Sequence, residues 1–153
     1  MKVILWAVFL LVVIFGALYS LKSLDVTQSS YSSYDEISSI PNIFEAGWVP
    51  RWLPVSATQI KESHDIDTNE SWLTFRISPS DDFYKGCKEI KNYDTASLIK
   101  AHSEPNRFHE FYDDLVGAIK DSTVNFYSCD SNYYRILAID HIESHGYIWL
   151  RSE

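Results

Sequence analysis

Three oxygen-bearing side chains alternate in the stretch HDIDTNE, and alternate oxygen ligands are how a calcium loop begins. Asp65, Asp67 and Asn69 stand at the first three ligand positions of such a loop. The loop also needs glycine at its sixth position and a bidentate glutamate at its twelfth, where this chain has Glu70 and Arg76. The stretch is therefore not an EF-hand. We predict that its side chains bond their own backbone and close a hairpin; a different oxygen-ligand site is the alternative.

A second group, HIESH, places His141, Glu143 and His145 at alternate positions. On a strand the three side chains would share a face, and imidazole with carboxylate suits zinc. The segment coincides with a predicted turn before Gly146, however, and no further ligand is identifiable. We therefore favour solvated turn residues and assign no metal and no cofactor.

Signatures of catalysis are missing from the sequence, which has no nucleophile elbow, no phosphate loop and no HExxH. Cys87 lies on the apolar face of a predicted helix, which indicates a packed or bridged cysteine rather than a thiol catalyst. We predict that the protein is not an enzyme.

The stretch GWVPRWLPVSA, residues 47–57 and called the strap below, combines two tryptophans with two prolines. Its prolines lack amide donors and favour extended neighbours, so the strap cannot be a helix. We predict that Trp48 and Trp52 pack on a sheet and fasten the strap to the domain, because tryptophan is costly to expose. The alternative is a rigid aromatic binding surface beside Arg51, or a platform for a sugar ring.

Cys87 and Cys129 are the two cysteines of the chain. In an oxidising compartment an even number of cysteines indicates a disulfide, so the pair is our disulfide candidate. Two unbridged cysteines are the open alternative, since such pairs also occur by chance.

The N-terminal stretch, residues 3–21, has no charged side chain. As a helix it would span about 29 Å, close to the core of a bilayer. We predict an uncleaved signal anchor in the bacterial inner membrane, single-pass, with the C-terminal domain in the periplasm. A cleaved signal peptide is the alternative, but no pair of small residues marks a cleavage site.

The charge balance is acidic, with 21 acidic against 13 basic residues and a formal net charge of −8. This balance argues against nucleic acid, whose binding depends on neutralising phosphates. It suits a basic partner.

The elements around these residues follow from hydrophobic periodicity. Alternation predicts a hairpin over 58–78, and an amphipathic stripe predicts a helix over 104–120. Ser33, Ser80 and Asp94 are predicted to cap three further short helices. Three strands are predicted at the end, over 123–129, 133–140 and 146–151.

The predicted fold is α+β: an N-terminal transmembrane helix, then a β-hairpin, two or three helices and a C-terminal three-stranded antiparallel meander, forming one sheet with helices on it. The domains are a signal anchor at 1–21, a polar tether at 22–32 and a single periplasmic domain at 33–153.

The block from Tyr34 to Phe75 resembles uncharacterised bacterial envelope proteins of the YbbD head-domain type. Their pattern runs G-W-x-P, then L-P-x-S-A, then D-x-D-T-N. The matching positions are Gly47, Trp48, Pro50, Leu53, Pro54, Ser56, Ala57, Asp65, Asp67, Thr68 and Asn69. The resemblance implies no catalytic residues; the association of one such protein with a polymorphic toxin locus favours immunity-type binding, by analogy.

Together these features predict a membrane-anchored periplasmic module that binds another envelope protein or a basic toxin-like partner without catalysis, in an immunity-like or inhibitory role. The candidate binding residues are Trp48, Arg51, Trp52, Asp65, Asp67 and Asn69. The alternative is an envelope ligand-sensing or carbohydrate-binding domain. A small hydrolase is the third hypothesis, and it requires His141, Glu143, His145 or the Asp65 region to converge in one cleft.

Overall fold

Seven antiparallel strands form one sheet in the computed structural model of the chain, which describes residues 6, 9–16, 26–96, 109–121, 123–129 and 135–150. Within these residues the order across the sheet is β1-β2-β3-β7-β6-β5-β4. The strands are β1 Val26–Ser33, β2 Thr58–Asp65, β3 Glu70–Arg76, β4 Lys88–Glu89, β5 Val124–Ser128, β6 Arg135–Asp140 and β7 His145–Leu150. Helix α1 covers Tyr34–Ser38, a 3-10 turn covers Phe83–Gly86, and helix α2 covers His109–Lys120.

The predicted fold class was wrong about the sheet, which is not a hairpin joined to a three-stranded meander. Strand β7 pairs with both β3 and β6, so the N-terminal and C-terminal strands share one continuous ladder. The stretch predicted as a polar tether, 22–32, overlaps the edge strand β1, whose Tyr31 packs against the core and pairs with Ile60. Serine and threonine tolerate a half-exposed edge, so a polar composition did not prevent a strand.

The predicted transmembrane helix over residues 3–21 is overturned as part of that fold class. Residues 9–16 are helical and their apolar side chains are exposed. None of the helices in the described part of the chain is long and apolar enough to cross a membrane. The rest of this prediction fell on residues 3–5, 7–8 and 17–21, which lie outside the described residues.

The helix predicted from Ser80 is also corrected. The structure has a short 3-10 turn there, followed by β4, which pairs with the end of β5. A disulfide joins Cys87 to Cys129 and holds the two segments together. The helix predicted from Asp94 falls largely on residues 97–108, as does the start of the helix predicted over 104–120, and these lie outside the described residues.

Helix α1 begins where the sequence places its cap. The hydroxyl of Ser33 accepts a hydrogen bond from the amide of Glu36 at 3.4 Å. The Glu36 carboxylate in turn accepts from the amide of Ser32 at 2.6 Å. The first bond satisfies an amide at the start of the helix, and the second satisfies the Ser32 amide at the end of β1.

Alternation along the strands divides the core into two faces. The strap face is covered by α1 and the strap, and the helix face is covered by α2. On the strap face Leu73, Phe75, Leu137, Ile139 and Ile148 are buried. On the helix face Trp72, Phe126, Tyr147 and Trp149 pack with Phe111 and Leu115 of α2. Because both faces are covered, β6 and β7 are apolar on both sides.

Candidate functional site

A cleft of about 400 Å³ opens on the helix face, between α2 and the neighbouring ends of β3, β7 and β6. This acidic cleft is lined by five carboxylate residues, Asp113, Asp114, Asp121, Asp140 and Glu143. Arg76, His145 and Tyr147 also line it. Its volume lies within the range of pockets that hold ligands or partner side chains.

The floor of the acidic cleft is set by strand register. Arg76 of β3 is paired with His145 of β7, and Asp140 of β6 is paired with the same histidine. The three residues therefore form a row across three strands on one face. Asp113 and Asp114 line the cleft from α2. Gly117, one turn later, leaves open space in the cleft, because a Cβ at this position would meet nothing within 4 Å.

Asp140 is fully engaged within the fold although it lines the cleft. One carboxylate oxygen accepts from the amides of Ile142 at 2.9 Å and Glu143 at 3.1 Å. The other accepts from the hydroxyl of Thr123 at 3.1 Å. These bonds close the β6–β7 turn, so the role of Asp140 is to position the cleft.

Arg76 is the one arginine or lysine that lines the cleft among the described residues, and it is tied to the backbone. Its Nη1 donates to the carbonyl of Glu143 at 2.5 Å. Among the described residues that line the cleft, the carboxylates, including the exposed ones of Asp113, Asp114 and Asp121, outnumber the positive charges. Such a surface attracts cationic groups before contact.

Two titratable groups in the floor are held neutral near pH 7. Burial lowers the pKa of His145, and the charge of Arg76 lowers it further. Burial raises the pKa of Tyr147 well above its ordinary value, helped by the charges of Asp114 and Asp140. The Tyr147 hydroxyl lies 3.4 Å from Nδ1 of His145. The floor therefore offers neutral hydrogen-bonding groups beneath a charged rim.

The HIESH residues do not form a single group. Glu143 and His145 line the acidic cleft, whereas His141 is exposed and packs edge-on against Tyr84 at 5.5 Å between ring centroids. In the described part of the chain no three His, Cys, Asp or Glu residues are placed to hold a metal ion. The convergence that the hydrolase hypothesis requires is absent from these residues.

The calcium-like stretch closes the β2–β3 turn. The Asp65 carboxylate accepts from the amides of Asp67 at 2.9 Å and Thr68 at 3.2 Å. Asn69 has a left-handed backbone with φ of 56°, which asparagine tolerates better than most residues. Asp67 and Asn69 are exposed, and none of the three aspartate and asparagine residues lines the acidic cleft.

The strap is part of the fold. Val49, Leu53 and Ala57 are buried in the core of the strap face. Trp48 and Trp52 are half-buried; the first stacks on His64 at 3.5 Å and the second stacks on Phe83 at 6.4 Å between ring centroids. The exposed candidate Arg51 forms an ion pair with Glu45 at 2.6 Å. The arrangement uses one side of each indole to hold the strap in place.

Sequence reasoning missed a buried acid–base pair beneath the strap. Glu62 and His64 lie on the strap face of β2, are 2% and 5% exposed, and are joined at 2.7 Å between Oε1 and Nδ1. Arg135 donates to the carbonyl of Gly47 and so fixes the start of the strap above them. Burial raises the pKa of Glu62, and the hydrogen bond from His64 opposes this shift. The sequence signal for this pair is that Ile60, Glu62 and His64 stand at alternate positions, which on a strand places all three side chains on the same face.

We expect Glu62→Gln to flatten the pH dependence of stability. The folded-state pKa of Glu62 lies above 4.5, so the native state binds more protons and stability falls as pH rises from about 4.5 through the folded-state pKa. Glutamine keeps an acceptor for His64 without the buried charge. Denaturant unfolding between pH 4.5 and 8 should show a variant that matches the parent at low pH and exceeds it at high pH.

The exposed Glu89, changed to glutamine, provides the matched control and should leave the pH profile of the parent unchanged. A large loss of stability in Glu62→Gln at pH 8 would contradict the expectation, because it would mean that the hydrogen bond to His64 outweighs the burial of the carboxylate.

Comparison with known proteins identifies the segment that contains the strap. Residues 25–76 match the family model of the YbbD head domain, which confirms the resemblance drawn from the sequence. The match covers β1, α1, the strap, β2 and β3, whereas most of the acidic cleft lies beyond it. No match was found among curated proteins or among solved structures. The family match supports the coarser functional prediction, an envelope-associated domain.

Proposed function

We propose that this envelope-associated domain is a non-catalytic binding module whose acidic cleft receives a lysine- or arginine-rich segment of a partner protein. An immunity-like or inhibitory role toward a basic partner is its concrete form. We further propose the periplasm as its compartment, because the bond between Cys87 and Cys129 is of a kind that persists in oxidising compartments.

The observation that carries this proposal is the acidic rim above a neutral floor. Asp113 and Asp114 are exposed on α2, and Asp121 is exposed directly after it. Glu143 is exposed on the β6–β7 turn opposite. Complementary charge of this kind speeds encounter and selects against acidic competitors. The neutral His145 and Tyr147 beneath can accept hydrogen bonds from a cationic side chain.

The shape of the rim favours a protein segment over a single small cation. Asp113 and Asp121 are eight residues apart along the helical axis, which corresponds to about 12 Å. An extended peptide covers that distance in about four residues, so it could place more than one cationic side chain along the rim. The net charge of −8 adds a long-range attraction for a basic partner.

A charge-neutralising variant of the rim tests the proposal. We expect Asp113→Asn with Asp114→Asn to weaken binding of a fluorescein-labelled octalysine peptide by about tenfold, or about 1.4 kcal/mol. The measurement is fluorescence anisotropy at two salt concentrations, since higher salt should weaken binding to the parent more than binding to the variant.

The matched control removes the same charge elsewhere. Asp67→Asn with Glu89→Gln changes two exposed residues outside the acidic cleft and should alter the affinity by less than about twofold. Equal weakening by both double variants would reject the cleft as the site and leave only an effect of net charge.

A further inference from the structure

His145 is the one histidine that lines the acidic cleft among the described residues. It is half-buried in the floor, where strand register places it between Arg76 of β3 and Asp140 of β6. An imidazole ordinarily gains its proton near pH 6.5, whereas aspartate and glutamate stay largely ionised down to about pH 4. His145 is therefore the lining group whose charge can change while the carboxylates of the rim keep theirs.

Charged groups act on His145 from each element packed around it. Burial and the positive charge of Arg76 lower its pKa, and Lys61 of β2 adds to this effect, whereas the negative charges of Asp114 and Asp140 oppose it. The other ionisable groups of the lining are Asp113, Asp121, Glu143 and Tyr147. The first two influences prevail, so the imidazole is uncharged at pH 7 and becomes charged only on acidification.

We propose that protonation of His145 releases the cationic segment from the acidic cleft, so that a proton and the partner compete for the same site. This inference rests on the proposed function and adds its regulation. Near pH 7 the uncharged imidazole leaves the carboxylates as the prevailing charge of the cleft. The protonated imidazole has no acceptor nitrogen left, and it places a positive charge beneath the bound segment.

Two other histidines lie outside the lining of the cleft. His141 is exposed on the β6–β7 turn and packs edge-on against Tyr84. His64 is buried on the strap face, where Trp48 stacks on its ring. A charge gained at either residue does not enter the lining of the cleft. His141, which shares the turn that leads into His145, is therefore a matched control for the effect of acid on binding.

Binding of a rhodamine-labelled octalysine peptide to the full chain at pH 7.5 and at pH 5 is the direct test. The lysine side chains of the peptide stay protonated over this range, and the carboxylates of the cleft stay largely ionised. We expect the Kd of the parent protein to rise about fivefold at pH 5, and that of His145→Gln to rise less than about twofold. Fluorescence anisotropy measures both values, and circular dichroism checks the fold at each pH.

His141→Gln is the matched control, because it removes a histidine from the same turn and leaves the cleft lining intact. Its ratio of Kd at the two pH values should equal that of the parent. An equal loss of pH dependence in the two variants would overturn the inference, because it would indicate an effect of overall charge. Absence of binding at pH 7.5 would reject the proposed function and this inference with it, whereas binding that is equally tight at pH 5 would reject the inference alone.

A second measurement uses the parent protein without substitution. By thermodynamic linkage, a peptide that binds more weakly to the protonated form must itself lower the pKa of His145. NMR titration of the imidazole signals should therefore show the midpoint of His145 at lower pH with saturating octalysine than without it. The midpoint of His141 should move less. An unchanged midpoint of His145 in the presence of bound peptide would refute the inference.

Discussion

Gly146→Ala is expected to lower the free energy of unfolding by about 2–3 kcal/mol, although it adds one methyl group. A Cβ at this position would lie 2.4 Å from Cζ of Phe75, with two further ring carbons at 2.6 and 2.9 Å. Phe75 is fully buried among the side chains of the strap face, so its ring cannot move aside without disturbing the core. Denaturant unfolding followed by circular dichroism gives the measurement.

Gly117→Ala is the control, because a Cβ at that helical position meets nothing within 4 Å. It should raise stability by up to about 1 kcal/mol, the ordinary gain from removing a glycine from a helix. Phe75→Leu supplies the second half of a double-mutant cycle. If Gly146→Ala costs as much in the Phe75→Leu background as in the parent, the contact is not the cause.

Removal of the disulfide is expected to have an effect of similar size. Cys87 and Cys129 are 42 residues apart, and closing a loop of that length restricts the unfolded chain by about 4 kcal/mol in the chain-entropy view. We expect Cys87→Ala with Cys129→Ala to lose about 2–4 kcal/mol in denaturant unfolding. The pairing of β4 with β5 should loosen with it, since β4 directly follows Cys87.

The reduced parent protein is the internal control for the disulfide. With reductant present, its unfolding midpoint should approach that of the double alanine variant, and reductant should leave the variant unchanged. A double variant within about 1 kcal/mol of the oxidised parent would show that the bond adds little to stability.

Strands whose apolar residues alternate could be predicted from the sequence, whereas the edge strand β1 could not. Alternation of Leu73, Phe75 and Ile77 indicated β3, and the structure has a strand at Glu70–Arg76. Half of the residues of strand β1 are serine, which also forms linkers, and the strand pairs with residues of β2 that lie 25 to 39 positions away. Local composition therefore could not distinguish a tether from an edge.

The segment after Ser80 shows how tertiary contacts override a local helix signal. Its capping serine and early acidic residues are typical of a helix start. In the fold, however, the Asp81 carboxylate accepts from the amide of Ser78 at 2.8 Å and from the hydroxyl of Ser56. The disulfide from Cys87 to Cys129 then holds the segment beside the end of β5, with which β4 pairs. The side chains that would have begun a helix instead close a turn.

The candidate site was only partly accessible from sequence. The HIESH stretch pointed to Glu143 and His145, and both residues line the acidic cleft. It pointed to them as zinc ligands, however, and no three His, Cys, Asp or Glu among the described residues are placed to hold a metal ion. The cleft depends on strand register, which brings Arg76 beside His145, and on the position of Asp114 in α2. These juxtapositions join distant parts of the chain and have no local signature.

The central position of β7 has a consequence for how the protein is made. This strand is synthesised after the other six, yet it is the one that joins β3 to β6. Until β7 is in place, no ladder of the described sheet joins β1, β2 and β3 to β6, β5 and β4. The facing edges of β3 and β6 then lack their partner, so any delay in the pairing of β7 is expected to leave the chain open to aggregation or to chaperone binding.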